Sequence, residues 1–282
     1  MNKNFLPMKK SELKSLTEQV IEISALTGKK LLSYQKKISS LTIDHKKAQG
    51  VVSEADVEAE KYIIKKLKKI LPEASFLAEE SSYLAKDIFT KDSEALLWVI
   101  DPLDGTTNFL NNMDYYAVCI SLCYYGQPII GVVHRPRTGE TYFSFQGGGS
   151  YILDKKGRKK KLSSNGKPAK NFKDCLLATG FATEKGIPFD IEFDIFKSMM
   201  SNCRGVRRMG SAALDLCLTA EGIFDGFWER GLAPWDTAAA SLICLEAGQF
   251  ITDYSGEVFS PFNKTIVCGP KFSHKTLLKM LK

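Results

Sequence analysis

The chain has 282 residues, 44% of them hydrophobic, which excludes a largely disordered protein and suits one large α/β unit or two joined subdomains. Its net charge of +7 allows an acidic partner but does not require nucleic acid. No apolar run approaches the ~20 residues that span a bilayer, the N-terminus lacks a signal-peptide pattern, and the seven cysteines show no metal-ligand spacing. We therefore expect a reduced, cytoplasmic protein without a membrane partner.

The N-terminal part of the chain predicts two helices and a short strand. Apolar residues recur at helical spacing between residues 11 and 35, and a second helical pattern follows Ser53. Ser53 and Asp56 have the S-x-x-D spacing of a capping box, so Asp56 is expected at a helix N-terminus. Residues 75–77 predict a strand that leads to the acidic pair Glu79 and Glu80, and residues 84–94 predict a charged connection that could act as a lid.

The next segment is a continuous apolar run, Leu96 to Ile100, that ends at a carboxylate. Such a run is typical of a strand buried on both faces. Pro102 has no N–H to donate to a sheet, so we expect the strand to end there. Asp101 and Asp104 would then lie together on a turn at the end of the strand.

The residues that follow this turn suit a phosphate. Gly105 permits close approach of the backbone to a ligand, and Thr106 is suited to opening a helix whose unpaired amides favour an anion. Carboxylates that suit Mg²⁺ therefore stand beside amides that suit phosphate, which predicts metal-assisted phosphoryl chemistry. A bare D-x-x-D pattern would favour a simple polar turn, and the longer string from Trp98 to Phe109 reverses this preference.

The second half of the chain predicts a meander and then alternating strands and helices. Three strand patterns with short connections between residues 117 and 145 predict the antiparallel meander. Six of the seven residues from 155 to 161 are basic, which indicates a solvated hairpin tip. Strands and helices alternate after this point, as in a sheet with helical cover. We place a boundary here, between an N-terminal subdomain of about 1–155 and a C-terminal subdomain of about 156–282.

Several polar residues of the second half have an ordinary structural interpretation. Gly210 and Ser211 precede a predicted helix over residues 212–220, and Asp236 stands at or near the N-cap of a later helix. Glu229 ends a predicted strand. Each could serve only as a cap or as a charge at the end of a strand.

Three sequence motifs together resemble the inositol monophosphatase family. They are W-V-I-D-P-L-D-G-T-T-N-F at residues 98–109, P-W-D-T-A-A-A at 234–240 followed by E-A-G at 246–248, and L-A-E-E-S at 77–81. They occur in the order of the family, and the resemblance covers nearly the whole chain. It implies an α+β fold, a layered αβαβα sandwich of the sugar-phosphatase type, with Mg²⁺-dependent hydrolysis of a phosphomonoester, inhibition by Li⁺ and a homodimer.

The resemblance also implies a ligand set. Two or three Mg²⁺ ions would bind the carboxylates and one backbone carbonyl, from Glu79, Asp101, Leu103, Asp104 and Asp236. Four carboxylates in one cleft need cations to remain ionised together. Glu80 would lie next to these ligands and support them without binding a metal itself.

The catalytic and substrate-binding roles are likewise implied by the resemblance. Thr106, assisted by Glu79 or Asp56, would orient and help deprotonate the water activated by the metals. The amides of Gly105 and Thr106 would hold phosphate oxygens. The sugar or cyclitol ring would contact Gly210, Ser211, Ala212 and Glu229.

The implied activity is that of an inositol-1-monophosphatase acting on inositol 1-phosphate. The same resemblance admits fructose-1,6-bisphosphatase, NADP phosphatase or histidinol-phosphatase activity, because these enzymes share the metal site and differ at the substrate rim. An alternative from another class is a regulatory protein associated with RNA and transcription, for which the basic surface would be suited.

Overall fold

The protein is described by a computed structural model that covers residues 8–46, 50–81, 96–163, 169–181 and 187–281. The predicted lid over residues 84–94 lies outside the described residues. A helical stretch begins at Glu79. The helices with described bounds are α1 (Lys10–Gln35), α2 (Glu54–Ile70), α3 (Thr106–Leu110), α4 (Ile187–Asn202), α5 (Ala212–Glu221), α6 (Pro234–Glu246) and α7 (Lys271–Met280).

The first large sheet has seven strands in the order in which they occur along the chain. The first two strands are parallel and every later neighbour is antiparallel, so the predicted meander is confirmed. A separate antiparallel hairpin precedes it, formed by β1 (Ile43–Lys46) and β2 (Gly50–Ser53). The seven strands are β3 (Ser75–Ala78), β4 (Leu96–Asp104), β5 (Ala117–Tyr124), β6 (Gln127–Arg135), β7 (Glu140–Phe145), β8 (Gly149–Leu153) and β9 (Lys159–Lys161).

The second large sheet has five strands in the order β11-β10-β12-β14-β13. β10 pairs in parallel with β11 and β12, whereas β14 pairs antiparallel with β12 and β13. The strands are β10 (Leu176–Thr179), β11 (Gly205–Arg207), β12 (Gly226–Arg230), β13 (Phe250–Thr252) and β14 (Thr265–Gly269).

The helices separate and cover these sheets in five layers. α1 and α2 pack on one face of the seven-stranded sheet, and α5 and α6 lie between the two sheets. α4 and α7 pack on the outer face of the five-stranded sheet. The predicted α+β fold, a layered αβαβα sandwich, is therefore confirmed. The subdomain boundary near residue 155 stays a prediction, and α6 from the second half packs directly on strands β4 to β8 of the first sheet.

The helix α6 lies close to the seven-stranded sheet because β6 carries a glycine at the crossing point. A Cβ at Gly131 would come within 2.3 Å of the carbonyl oxygen of Ala239. Any side chain here would push the helix away from the sheet. The contact fixes the height of α6, which carries Asp236 at its N-terminal end.

The predicted end of the central strand was wrong. β4 continues past Pro102 to Asp104, although its pairing with β5 is interrupted. Asp101 pairs with Cys119 and Asp104 pairs with Ala117, so two residues of β4 stand opposite one residue of β5. This irregularity has the form of a β-bulge, which accommodates a proline without a ladder hydrogen bond and turns neighbouring side chains in new directions.

No helix within the described ranges is long and apolar enough to cross a membrane.

Candidate active site

A cavity of about 210 Å³ opens where the two sheets and the central helices meet. We call it the cleft. Its first wall comes from the seven-stranded sheet and contains Glu79 and Asp104. Its other walls come from β10, β12, α5, α6 and the segments next to them, and they include Gly180, Gly210, Ser211, Ala212, Asp215, Glu229 and Asp236. The structure therefore brings predicted residues from distant parts of the sequence to one cavity.

The bulge of β4 fixes the two aspartates of the central motif. Asp101 Oδ1 accepts a hydrogen bond from the backbone N–H of Leu103 at 2.9 Å. Asp104 Oδ2 accepts one from Ser211 Oγ at 2.6 Å and another from the N–H of Ala213 at 2.9 Å. The second pair of bonds ties the central motif to the N-terminus of α5. The carboxylates are therefore held by the fold itself.

Asp56 and Asp236 occupy the same position in two different helices. Each is the third residue of its helix, and its Oδ2 accepts a hydrogen bond from the backbone N–H of the N-cap residue. The donor is Ser53 for Asp56, at 2.9 Å, and Ala233 for Asp236, at 2.7 Å. The predicted capping box of Asp56 is confirmed, and Asp236 lies near the N-cap as expected, at the third position of its helix. Pro234 occupies the first helical position, and Asp236, two residues later, accepts the N–H of the N-cap residue.

Thr106 lies directly beside Asp56. Its hydroxyl is 2.9 Å from Asp56 Oδ1 and 3.2 Å from the carbonyl oxygen of Leu103, both acceptors. Gly105 precedes it as the N-cap residue of α3 with a φ of 96°, which is unfavourable for residues with a side chain. The backbone therefore turns sharply between Asp104 and Thr106, which places the Thr106 hydroxyl in hydrogen-bonding contact with Asp56.

The acidic pair after β3 is held by a residue that the sequence prediction missed. Glu60 is buried on α2, and its carboxylate accepts the backbone N–H groups of Glu80 and Ser81 at 2.7 and 2.9 Å. Glu80 is buried, and Glu79 lines the cleft. The signal for Glu60 was present, because a residue four positions after Asp56 lies on the same face of a helix.

Burial and like charge act together on the cleft carboxyls. Burial raises the pKa of Asp101 well above its usual range, and the neighbouring charges of Glu79, Asp104 and Asp236 raise it further. Burial also raises the pKa of Asp104 to about 6, partly offset by its hydrogen bonds to Ser211 and Ala213. Burial raises the pKa of Asp56 to about 6. Four predicted ligands are thus close enough to repel one another.

The donor set suits a hard cation. Within the described ranges, no three His, Cys, Asp or Glu side chains already stand in the compact arrangement of an assembled metal cluster. The cleft nevertheless concentrates carboxylate oxygens whose mutual repulsion a cation would relieve. Oxygen ligands without sulfur or imidazole favour Mg²⁺ or Ca²⁺ over softer metals. The residues therefore fit a Mg²⁺ site in chemistry.

The opposite wall of the cleft contains the residues expected to contact a sugar or cyclitol ring. Gly210, with a φ of 86°, precedes Ser211, which is confirmed as the N-cap of α5 and accepts a hydrogen bond from the N–H of Leu214. Glu229, at the end of β12, lies against Gly180 of the neighbouring strand end. Ala212 begins α5 and also lines the cleft.

Asp215 also lines this wall and was not predicted from the sequence. It is buried in the first turns of α5, and its Oδ1 accepts a hydrogen bond from the hydroxyl of Tyr115 at 2.6 Å. The two residues are 100 positions apart, so no local pattern could have paired them.

Comparison with known proteins identifies the family. The inositol monophosphatase family profile matches residues 12–282. The chain is 34% identical over 268 residues to an inositol-1-monophosphatase of Mesorhizobium japonicum, covering 95% of this chain and 96% of the relative. It is 34% identical to the Nus factor SuhB of Vibrio cholerae, covering 84% of each chain. The solved structure of the extragenic suppressor protein suhB of Bartonella henselae matches with a TM-score of 0.83 and 33% identity, covering 95% of this chain and 98% of that one. The chain belongs to the inositol monophosphatase family, whose members are phosphatases.

Proposed function

We propose that this chain is a Mg²⁺-dependent phosphomonoester hydrolase whose substrate is inositol 1-phosphate. The observation that carries the proposal is the clustering of acids around Asp101, whose pKa is raised by the charges of Glu79, Asp104 and Asp236. Such crowding lowers stability unless a cation is bound. The name of the Mesorhizobium japonicum relative supports inositol 1-phosphate as the ester.

Two or three Mg²⁺ ions would be held by the four carboxylates and by the backbone carbonyl of Leu103. When bound, they would supply the positive charge that attracts the phosphate, lowers the pKa of the attacking water and stabilises the negative charge on the leaving oxygen. Each carboxylate is fixed by the fold, as the bonds from Ser211 and Ala213 to Asp104 illustrate. Pre-oriented ligands of this kind need little rearrangement when a cation enters.

Thr106 and Asp56 would form the proton path. The Thr106 hydroxyl donates a hydrogen bond to Asp56 Oδ1. Its oxygen can then accept a proton from the attacking water, while Asp56 receives the proton of the hydroxyl. Burial raises the pKa of Asp56 to about 6, which suits a group that accepts a proton near neutral pH. Glu79 stands near enough to raise this pKa and would assist as a second base.

The remaining predicted residues would bind and orient the substrate. The amides of Gly105 and Thr106 would hold phosphate oxygens, because they lie at the turn directly after Asp104. Glu80 is buried behind Glu79 and would support it through the segment that Glu60 holds. The leaving alcohol would face the wall formed by Gly210, Ser211, Ala212 and Glu229.

The test is release of phosphate from inositol 1-phosphate, fructose 1,6-bisphosphate, NADP and histidinol phosphate. Each ester is assayed with Mg²⁺, with excess chelator, and with Mg²⁺ plus millimolar Li⁺. We expect preferential, Li⁺-sensitive hydrolysis of inositol 1-phosphate and none with chelator. Preference for another ester would change the substrate assignment and leave the proposed metal-dependent hydrolysis intact. A folded protein that releases no phosphate from any ester would contradict the proposal.

A second candidate function is a regulatory role in transcription through RNA binding. It is favoured by the name of the Vibrio cholerae relative, Nus factor SuhB. The basic edge strand β9 is exposed and would provide a surface for phosphates. RNA binding at moderate salt that persists in Asp104→Asn would support this role. Absence of binding to RNA at moderate salt would rule it out.

The assembly and location of the chain also belong to the proposal. The resemblance implies a homodimer, which light scattering at micromolar concentration would test. The cytoplasmic location stays a prediction and is supported by the reduced thiols expected for seven cysteines. The described cysteines are free and mostly buried.

A further inference from the structure

Two buried carboxylates face the cleft on the side away from the central motif. Glu229 is 8% exposed and Asp215 is 1% exposed, and both line the cleft. Neither belongs to the four acids proposed to hold Mg²⁺. Burial raises the pKa of both groups, and the charge of Arg208, which also lines the cleft, lowers it in part.

These carboxylates have few partners of their own. Across the described residues, no donor stands within hydrogen-bonding distance of the Glu229 carboxylate, and Tyr115 is the single side-chain donor to Asp215. Buried polar groups in folded proteins are nearly always satisfied by hydrogen bonds. A carboxylate can accept several bonds, so both groups retain capacity for donors brought by a ligand.

The backbone near Glu229 is shaped to make room for its carboxylate. A Cβ at Gly180 would come within 2.1 Å of Glu229 Oε1. The residue at position 180 therefore has to be a glycine while Glu229 points as it does. Gly180 thus leaves space for the Glu229 carboxylate, which lines the cleft and can accept from a donor there.

Tyr115 holds the second carboxylate in a defined orientation. Its hydroxyl donates to Asp215 Oδ1 at 2.6 Å, and the guanidinium of Arg135 stands over its ring, 5.4 Å from the ring centre. Asp215 lies on α5, one turn beyond Ser211, which contacts Asp104. The tyrosine therefore sets the position of Asp215 relative to both the metal ligands and Glu229.

We propose that Asp215 is a specificity-determining residue that accepts a hydroxyl of the leaving alcohol beside Glu229, with Tyr115 as its positioning residue. This inference rests on the proposed phosphatase function and assigns it a further residue that recognises the leaving alcohol. A leaving group with adjacent hydroxyls can donate to both carboxylates, whereas one without hydroxyls leaves Glu229 without a hydrogen-bond donor among the described residues and Asp215 with Tyr115 as its side-chain donor.

The experiment compares inositol 1-phosphate with phenyl phosphate, whose leaving group has no further hydroxyl. The variants are Asp215→Asn and Tyr115→Phe, with Tyr142→Phe as matched control. Tyr142 is also buried and donates to an acid of α5, Glu221 at 2.9 Å, but away from the cleft. For each variant, kcat and KM are measured with both esters in Mg²⁺.

We expect Asp215→Asn to lower the ratio of kcat/KM for inositol 1-phosphate over phenyl phosphate about tenfold or more, mainly through KM, because a neutral amide is a weaker acceptor than a charged carboxylate. Tyr115→Phe should lower the same ratio by a smaller factor, roughly threefold. Tyr142→Phe should leave the ratio unchanged. Equal losses on both esters, or no change in the ratio for Asp215→Asn, would overturn the inference while leaving the phosphatase function intact.

A binding measurement separates this inference from the proposed function. Calorimetric titration with myo-inositol in Mg²⁺ and inorganic phosphate needs no turnover. Weaker binding in Asp215→Asn than in wild type and Tyr142→Phe would support the inference even if no ester were hydrolysed. Equal binding by all three proteins, or no binding by wild type, would overturn it.

Discussion

Polar groups are buried both in the packed faces of the seven-stranded sheet and in the cleft, but they are treated differently in the two regions. In the sheet, buried groups such as His134 and Tyr116 meet complementary neutral partners, whereas Trp98 Nε1 and Ser150 Oγ have no hydrogen-bond partner in the described part of the chain. His134 Nδ1 lies 2.8 Å from Thr141 Oγ1, and Tyr116 donates to Gln35 at 2.9 Å. In the cleft, carboxylates are placed among carboxylates, and the charges of Glu79, Asp104 and Asp236 all raise the pKa of Asp101.

This difference separates packing from function. Neutral pairs such as His134 with Thr141 stabilise the fold without accumulating charge, since each desolvated group gains a partner. Accumulated like charge is costly in the same low-dielectric surroundings. A ligand of opposite charge, or one that brings hydrogen-bond donors, would relieve the electrostatic cost of these clustered acids. Stability measurements and activity measurements should therefore respond to different residues.

The largest effect is expected for Asp104→Asn. The amide retains the shape and can still accept from Ser211 and Ala213, so the fold should persist. It removes one of the charges that hold the cation and the developing transition state, which should lower kcat at least about a hundredfold. Turnover is measured with inositol 1-phosphate, and folding by circular dichroism.

Asp154→Asn provides the control for this variant. Asp154 lies on the exposed turn after β8 and accepts from Lys156 and Arg158, far from the cleft. Its substitution should leave kcat unchanged. Turnover at the wild-type rate in Asp104→Asn would show that the cleft acids do not act together as a metal site.

The next effect concerns the stability of the cleft in the presence of Mg²⁺. A cation that binds only the folded state at one hundred times its Kd adds about 2.7 kcal/mol of stability. For a chain of this size we expect Tm to rise by roughly 5 °C. Asp101→Asn removes one of the repelling charges, so its Tm without Mg²⁺ should exceed that of wild type and its Mg²⁺-dependent rise should be smaller.

The measurement is differential scanning fluorimetry with MgCl₂ against NaCl at matched ionic strength. Equal shifts with both salts would show general screening of charge, and the comparison between the two regions would then fail. A destabilised Asp101→Asn without Mg²⁺ would show that its hydrogen bond from Leu103 outweighs the repulsion from the other acids.

The fold class and the proposed ligand set were anticipated through the resemblance to a known family, which rests on continuous sequence motifs. Asp101 and Asp104 follow an apolar strand, and Asp236 begins a helix, so local patterns placed them at the ends of elements. In the structure, Asp104 and Asp236 line the cleft and Asp101 lies near enough for both charges to raise its pKa, although their roles as ligands stay predictions. The capping box of Asp56 was also local, and its contact with Thr106 shows that a capping residue can face a site.

Features that depend on contacts between distant segments could not be anticipated. The partner of Asp215 is Tyr115, which lies on another element and reaches it only in the folded chain. Pro102 was expected to end β4, but pairing resumes at Asp104 because a bulge absorbs the proline. Strand pairing on both sides of a proline is a tertiary property, which propensity at one position does not contain.

A smaller effect is expected from pH on the sheet. Burial lowers the pKa of His134 from its ordinary value of 6.5 to about 4. Between these values the unfolded chain binds more protons than the folded one, so this contribution to stability is complete above pH 6.5 and is lost as the pH falls toward 4. From pH 7.5 to pH 5, the loss should be about 2 kcal/mol.

Urea unfolding of wild type and His134→Asn at these two pH values isolates this contribution. The variant is less stable overall, because α1 packs closely against the ring at Gly28. Its loss of stability between the two pH values should nevertheless be smaller than that of wild type by about 2 kcal/mol. Equal losses would mean that His134 is protonated as readily in the folded chain as in the unfolded one.

The smallest effect is expected for Tyr142→Phe. The hydroxyl donates to Glu221 Oε2, while Glu221 Oε1 is also paired with Lys160 at 3.1 Å. Loss of this one hydrogen bond should lower the free energy of unfolding by about 1 kcal/mol, since Glu221 keeps its second partner. Urea unfolding measures the change, and kcat with inositol 1-phosphate should stay at the wild-type value. A fall in kcat would show that the far end of α5 is coupled to the cleft, because Ser211 and Asp215 lie on the opposite end of the same helical segment.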